Sequence, residues 1–233
     1  MTSLRRLSFL VVIPLLALTA ACGDDTTTPK AATPDCTYNK SDRPAAKQVD
    51  PPPGDPAKDA PTEVTIATDR GDVKVSLDAD KAPCTVNSFL SLAKQGYFDD
   101  TKCHRLTTEG IYVLQCGDPS ATGSGGPGYA FDDELVEQDP RIQPCQADPS
   151  SGQDVCTYTA GTLAMANAGP GTNGSQFFLV YKDSPLPAAY TVFGRMSAAG
   201  LKVVQTVAAA GAEAPDPTGN TAPKQPVTIT SVK

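Results

Sequence analysis

The sequence predicts a mostly β domain, a closed antiparallel β-barrel capped by two α-helices. Three observations carry that expectation. Short apolar–polar alternations recur from Glu63 to the C-terminus, each a few residues long. Turn-forming Gly, Pro, Asp and Asn residues separate them. Only two stretches carry helical spacing, and they lie far apart, so each is expected to cover one open end of a barrel.

The first alternation is EVTIAT from Glu63, with Val64 and Ile66 on one face. DRGD is a turn, and VKVSLD then places Val73, Val75 and Leu77 on one face. The pair reads as a β-hairpin. In APCTVNSFLSLAKQG, Val86, Phe89, Leu90 and Ala93 recur at helical spacing and Gly96 supplies a stop. KCHRL and YVLQC read as short strands around the turn TTEGI, followed by the Gly-rich loop TGSGGPGYAF. Residues 136–157 show no clear periodicity and read as a long surface loop. TLAMANA, QFFLVY and YTVFGRM are three further strands. AGLKVVQTVAAAG is a second amphipathic helix with Leu201, Val204 and Ala208 inward, and QPVTITSVK is the last strand. There is no internal repeat.

A chain of 233 residues has room for one domain plus extensions. Hydrophobic residues make up 39%, enough for a packed core. The net charge of −7 argues against nucleic-acid binding, which needs a basic face. A single histidine, His104, excludes a multi-His metal site, and the cysteines contain no CxxC pair. Asp132, Asp133 and Glu134 are adjacent acids with no evident fourth ligand and read as solvated. Loop 122–128 lacks the Lys of a phosphate-binding loop and reads as a surface turn. No metal and no cofactor are expected.

The N-terminus points outside the cytoplasm. Arg5 and Arg6 precede the apolar run LSFLVVIPLLAL, which is shorter than the ~20 residues of a spanning helix. Thr19-Ala20-Ala21-Cys22 follows, a small-residue cleavage site ending on Cys. This resembles a bacterial lipoprotein signal, although Thr19 stands where such signals have Leu. The resemblance implies a signal peptide over 1–21, lipid on Cys22, and a membrane-anchored protein on the extracytoplasmic face. Residues 22–61 are rich in Pro, Asp, Thr and Lys and read as a disordered, semi-extended linker, part of which Cys36 can tie down. The folded domain is expected at 62–233.

The densest motif is AMANAGPGTNGSQFFLV, residues 164–180, which has no Cys, His, Asp or Glu. By composition it is a tight loop between strands. Its order of residues says more. Met165 to Phe178, with Cys103-His104-Arg105, Gln115-Cys116-Gly117-Asp118 and Val192-Phe193-Gly194, resembles the cyclophilin-type peptidyl-prolyl cis-trans isomerases over roughly 62–233. That chemistry needs no nucleophile. The barrier to prolyl rotation is amide resonance, roughly 18–20 kcal/mol, and a catalyst has only to bind the twisted amide better than either planar form.

The resemblance implies Arg105 as the donor that stabilises the twisted amide and Gln115 as the residue orienting it. Phe178 would be the floor of the proline pocket, Ala166 and Asn167 anchors for the peptide, and Gln176 a polar wall. Tyr112 and Val113 stand where the family has Phe and Met. Leu186 matches a family Leu, Tyr190 replaces a His, and Pro185 replaces the rim Trp. The implied protein is a monomer that acts on flexible, proline-containing segments of exported proteins. The alternative is a groove that binds such segments with little turnover. His104 should point away from Arg105's face and be structural.

Setting Cys22 aside, seven cysteines leave six, an even number for an oxidising compartment. Cys145 and Cys156 flank a polar loop and are expected to pair. Alternation puts Cys103 on Arg105's face and Cys116 on the face opposite Gln115, so Cys84 is the expected partner of Cys103. Cys36 with Cys116 follows by elimination.

Overall fold

A computed structural model describes residues 35–150, 152–217 and 219–233. The expected signal peptide and Cys22 lie outside these residues. The strands, in chain order, are β1 (Asn39–Lys40), β2 (Glu63–Thr68), β3 (Gly71–Leu77), β4 (Thr101–Lys102), β5 (Arg105–Leu106), β6 (Val113–Cys116) and β7 (Tyr129–Ala130). They continue with β8 (Cys145–Ala147), β9 (Asp154–Tyr158), β10 (Thr162–Met165), β11 (Phe177–Val180), β12 (Ser184–Pro187), β13 (Val192–Met196) and β14 (Thr228–Val232). Helices α1 (Pro83–Lys94) and α2 (Ala198–Ala209) follow β3 and β13.

Nine strands form one antiparallel sheet in the order β4-β14-β2-β3-β13-β10-β11-β6-β5. The predicted hairpin is β2–β3, and Val64, Ile66, Val73, Val75 and Leu77 all point into the core. The expected closed barrel is corrected to a curled, open sheet. Its edges, β4 and β5, are successive pieces of one chain stretch joined through Cys103 and His104. They meet end to end through covalent bonds and cannot pair side by side.

The two helices fill different parts of the interior. α1 buries Val86, Phe89 and Leu92, and the Phe89 ring meets Phe98, Phe177 and Phe193 at 5.2, 5.6 and 5.3 Å. Its N-terminus is capped from a distance: the Glu134 carboxylate accepts the backbone N–H groups of Cys84 and Thr85 at 2.9 and 2.8 Å. Glu134 thus serves a helix terminus, where a negative charge is favoured, and is not merely solvated. α2 lays Val204 and Val207 against the core and packs on β3 and β13.

The expected loop 136–157 contains a hairpin. β8 and β9 pair, and β12 joins them in a second sheet of order β12-β9-β8. This sheet covers the outer face of β6, β11, β10 and β13, creating a second core with Val113, Phe178, Val180, Tyr158 and Leu186. Phe177 and Leu179 point into the first core and Phe178 and Val180 into the second, so FFLV is apolar throughout.

The stretch expected to be a disordered linker is docked where it is described. Cys36 is disulfide-bonded to Cys84, β1 pairs with β7, and Tyr38 packs edge-on to Tyr129 and Phe131. The Tyr38 hydroxyl donates to the Cys84 carbonyl at 2.8 Å. Composition concealed this because every anchor of the strap lies far along the chain.

Three disulfides join Cys36 to Cys84, Cys103 to Cys116 and Cys145 to Cys156. The expected Cys84–Cys103 and Cys36–Cys116 pairs are therefore corrected. Alternation fails between β4 and β5: Cys103 and His104 are both buried, at 4% exposure each. The break in the pleat turns Cys103 inward, where Cys116 already points. The 145–156 bridge closes a loop of sequence separation 11, which corresponds to roughly 2–3 kcal/mol of stability in the chain-entropy account. Urea titration of the Cys145→Ser/Cys156→Ser variant should lose about that much. A loss below about 0.5 kcal/mol would show that the β8–β9 ladder holds the hairpin alone.

Candidate active site

Register aligns three site residues in one row that ends on Ala164. Arg105 pairs with Gln115, Gln115 with Phe178, and Phe178 with Ala164. This row crosses β5, β6, β11 and β10 on the outer face of the main sheet, with about 4.8 Å between strands. At its edge lies a cavity of about 290 Å³ lined by Arg105, Val113, Gln115, Ala166, Asn167, Phe178, Leu186 and Tyr190, together with Ile111. Arg105 is the one charged side chain among these lining residues.

The pocket floor is aromatic. Phe178 is 5% exposed, and its ring stands edge-on to Tyr190 at 5.5 Å. Tyr158, missed in the sequence, props up this wall: its buried hydroxyl donates to the carbonyls of Pro187 and Tyr190, both at 3.2 Å. Its alternation with Cys156 in a short polar segment was the available sign.

Arg105 is held by a relay of amides. Its Nη1 donates to Gln115 Oε1 at 3.1 Å, and Gln115 Nε2 donates to Gln176 Oε1 at 2.8 Å. Gln176 Nε2 ends the relay on the carbonyls of Gly123 and Gly125, at 3.0 and 2.9 Å. Arg105's remaining N–H groups make no side-chain hydrogen bond among the described residues, so they are available to an incoming carbonyl. Gln176 itself lines a neighbouring recess rather than the pocket.

The Gly-rich loop is more than a surface turn, because a buried carboxylate organises it. Asp118 accepts from Ser120 N, Ser120 Oγ, Gly123 N and Gly125 N at 2.8, 2.6, 2.8 and 3.0 Å. Burial alone would raise its pKa, but these hydrogen bonds outweigh burial and hold it below the usual carboxylate value. Preceding it, Gly117 sits at φ +89°, and a Cβ there would collide with the Ser175 carbonyl.

The peptide edge is pre-set in a similar way. Asn167 Nδ2 donates to Ala189 O at 2.8 Å and to Asp133 Oδ1 at 3.2 Å. Asp133 also accepts from Gly171 N and Asn173 Nδ2. It is therefore a positioning residue that the sequence reading took for a solvated acid. The backbone N–H and C=O of Asn167 pair with nothing among the described residues, leaving a donor and an acceptor for an extended chain.

Tyr112, like Gln176, is a predicted site residue that the structure places outside the pocket. It packs on Tyr181 at 5.9 Å, with Lys182 Nζ 4.1 Å from its ring centroid. Ile111 lines the pocket instead. Strand alternation accounts for this, since Ile111, Val113 and Gln115 share one face and Tyr112 the other. Pro185 is exposed on the face of β12 opposite Leu186. Among the described residues no cluster of His, Cys, Asp or Glu suits a metal ion.

His104 does not line the pocket and is 4% exposed. Neither ring nitrogen reaches hydrogen-bond geometry with a partner among the described residues. Burial pushes the imidazole pKa below 6.5, and the Asp118 charge opposes this only in part. The unfolded chain therefore takes up a proton near pH 6.5 that the folded chain refuses. Stability should fall as pH drops below that value, by at most about 1.4 kcal/mol per pH unit from this group. Denaturation of His104→Gln between pH 5 and 7 should show a flatter profile, and an unchanged slope would assign the effect to other groups.

A curled antiparallel sheet carries an apolar pocket beside one fixed guanidinium and an unpaired backbone edge, a candidate site for an extended chain. Residues 63–233 match the family described as cyclophilin type peptidyl-prolyl cis-trans isomerase/CLD, and the chain belongs to it. It is 48% identical over 203 residues to the probable peptidyl-prolyl cis-trans isomerase B of Mycobacterium tuberculosis, covering 84% of this chain and 63% of that protein. The corresponding protein of Mycobacterium leprae is 50% identical over 182 residues, covering 76% of this chain and 59% of that one. The chain thus spans somewhat under two thirds of these relatives. A Cryptosporidium parvum cyclophilin-type isomerase, solved in the presence of the dipeptide Ala-Pro, superposes with a TM-score of 0.57 at 30% identity. That match covers 73% of this chain and 96% of the other.

Proposed function

We propose that this chain catalyses cis–trans isomerisation of prolyl peptide bonds, without covalent chemistry, in flexible segments of exported proteins. One observation carries the reading: Arg105, held by Gln115, stands at the rim of the apolar pocket floored by Phe178. A proline ring fits the pocket, and the guanidinium fork reaches the carbonyl and nitrogen of the twisting amide. The Ala-Pro dipeptide used with the Cryptosporidium relative supports a proline as occupant. The test is isomerisation of a proline tetrapeptide by the full-length protein, followed by exchange NMR. Peptide binding without rate enhancement would favour the alternative, a binding module with little turnover.

The cell-surface reading belongs to the same proposal. Three disulfides favour an oxidising compartment, and the N-terminal segment resembles a lipoprotein signal. Lipid on Cys22 would hold the isomerase at the extracytoplasmic face of the membrane. Cys22→Ser should then release the protein into the medium or block its processing. Unchanged membrane retention of that variant would rule out lipid on Cys22 as the anchor.

A further inference from the structure

Beside the proline pocket lies a second recess of about 260 Å³, sharing Gln115, Ala166 and Asn167 with it. The curled sheet and its loops do not build this recess alone. Ser41 and Arg43 of the N-terminal strap form part of its lining, opposite Gln176. The strap is anchored on both sides of Arg43, by Ser41 N to Gly128 O and by Ala46 N to Gly126 O, each 2.9 Å. The Cys36–Cys84 disulfide fixes its beginning.

Among the described residues, Arg43 is the only charged one lining the recess. Its guanidinium makes a single long contact, 3.4 Å to Ser124 O, and has no ion-pair partner among the described residues. Asp118, behind the loop, is buried and occupied by Ser120, Gly123 and Gly125. Asp42 adjoins Arg43 in the chain but does not line the recess. The recess therefore presents one unneutralised cation to whatever enters it.

In an extended peptide, side chains two residues apart lie on one face, roughly 7 Å from each other. With proline in its pocket, the side chain entering the neighbouring recess belongs to the residue two positions away. We infer that Arg43 makes this recess select a carboxylate, Asp or Glu, two residues from the isomerised proline. The inference rests on the proposed prolyl-isomerase reading of the adjoining pocket. It makes the strap part of the substrate site, although it lies outside the matched segment 63–233.

The test compares blocked hexapeptides Ala-Xaa-Ala-Pro-Ala-Ala and Ala-Ala-Ala-Pro-Ala-Xaa, with Xaa as Glu, Gln or Lys, by exchange NMR on the full-length protein. In one of the two registers kcat/KM should be roughly two- to fivefold higher for Glu than for Gln, the scale of a solvent-exposed ion pair. The preference should shrink in about 0.5 M salt. Arg43→Gln should abolish the Glu preference, and Arg43→Glu should shift it toward Lys. Turnover of the Gln peptides with a Glu:Gln ratio near one in both registers would overturn the inference alone. So would a ratio that survives Arg43→Gln. Failure to isomerise any of the peptides would overturn the functional reading and the inference with it.

Discussion

Arg105→Ala is expected to lower kcat/KM for a proline tetrapeptide by on the order of 10²–10³, the scale for losing one preorganised donor. The relay from Arg105 through Gln115 and Gln176 to the loop carbonyls explains why the effect should be large. The guanidinium is fixed before substrate arrives, so little reorganisation is spent in the transition state. Arg105→Lys should recover little, since an ammonium cannot both hold Gln115 and present a planar fork to the amide. Near-normal turnover in the Ala variant would remove Arg105 from the mechanism. The proposed mechanism uses no general acid or base, so the rate of the natural protein should stay nearly flat between about pH 6 and 8.

Asp118→Ala should have the next largest effect, and on two readouts at once. The carboxylate is fully buried and satisfies three backbone N–H groups and two hydroxyls, those of Ser120 and Thr122. Removing it strands donors whose desolvation costs about 1–3 kcal/mol each when nothing replaces the acceptor. Water entry and loop relaxation will recover part of this, leaving a loss of about 3 kcal/mol, or roughly 6–12 °C in Tm for a domain of this size. Catalysis should fall as well, because Gly123 and Gly125 would no longer hold Gln176. Asp118→Asn keeps one oxygen acceptor and should lie between the two proteins. An Ala variant with unchanged Tm would show that the loop is held by other contacts. Since the folded-state pKa of Asp118 is depressed, its contribution is present above about pH 4 and is lost as pH falls further.

Much of the site was legible from residue order. Arg105, Gln115, Val113, Ala166, Asn167, Phe178, Leu186 and Tyr190 line one pocket, and each lies in or beside a motif that local order identifies. Ile111 was within reach too, had strand alternation been followed back from Gln115. Asp133 and Glu134 were not legible: an acid on a loop and an acid that caps a helix fifty residues earlier look alike until the chain is folded. Tyr158 belongs with them, because its role depends on β12 lying beside β9.

The sequence by itself determined the β-rich class, the first hairpin, both helices and, through motifs that resemble those of the isomerase family, most of the residue types that line the pocket. These follow from periodicity and local order, which act over a few residues. Only the tertiary structure decided that the sheet stays open, that Cys103 pairs with Cys116, and that the strap around Tyr38 and Arg43 closes over the Gly-rich loop. Each of these depends on a break in the pleat or on contacts between residues far apart in the chain. Periodicity cannot register such features, because their free energy comes from partners that local sequence does not name.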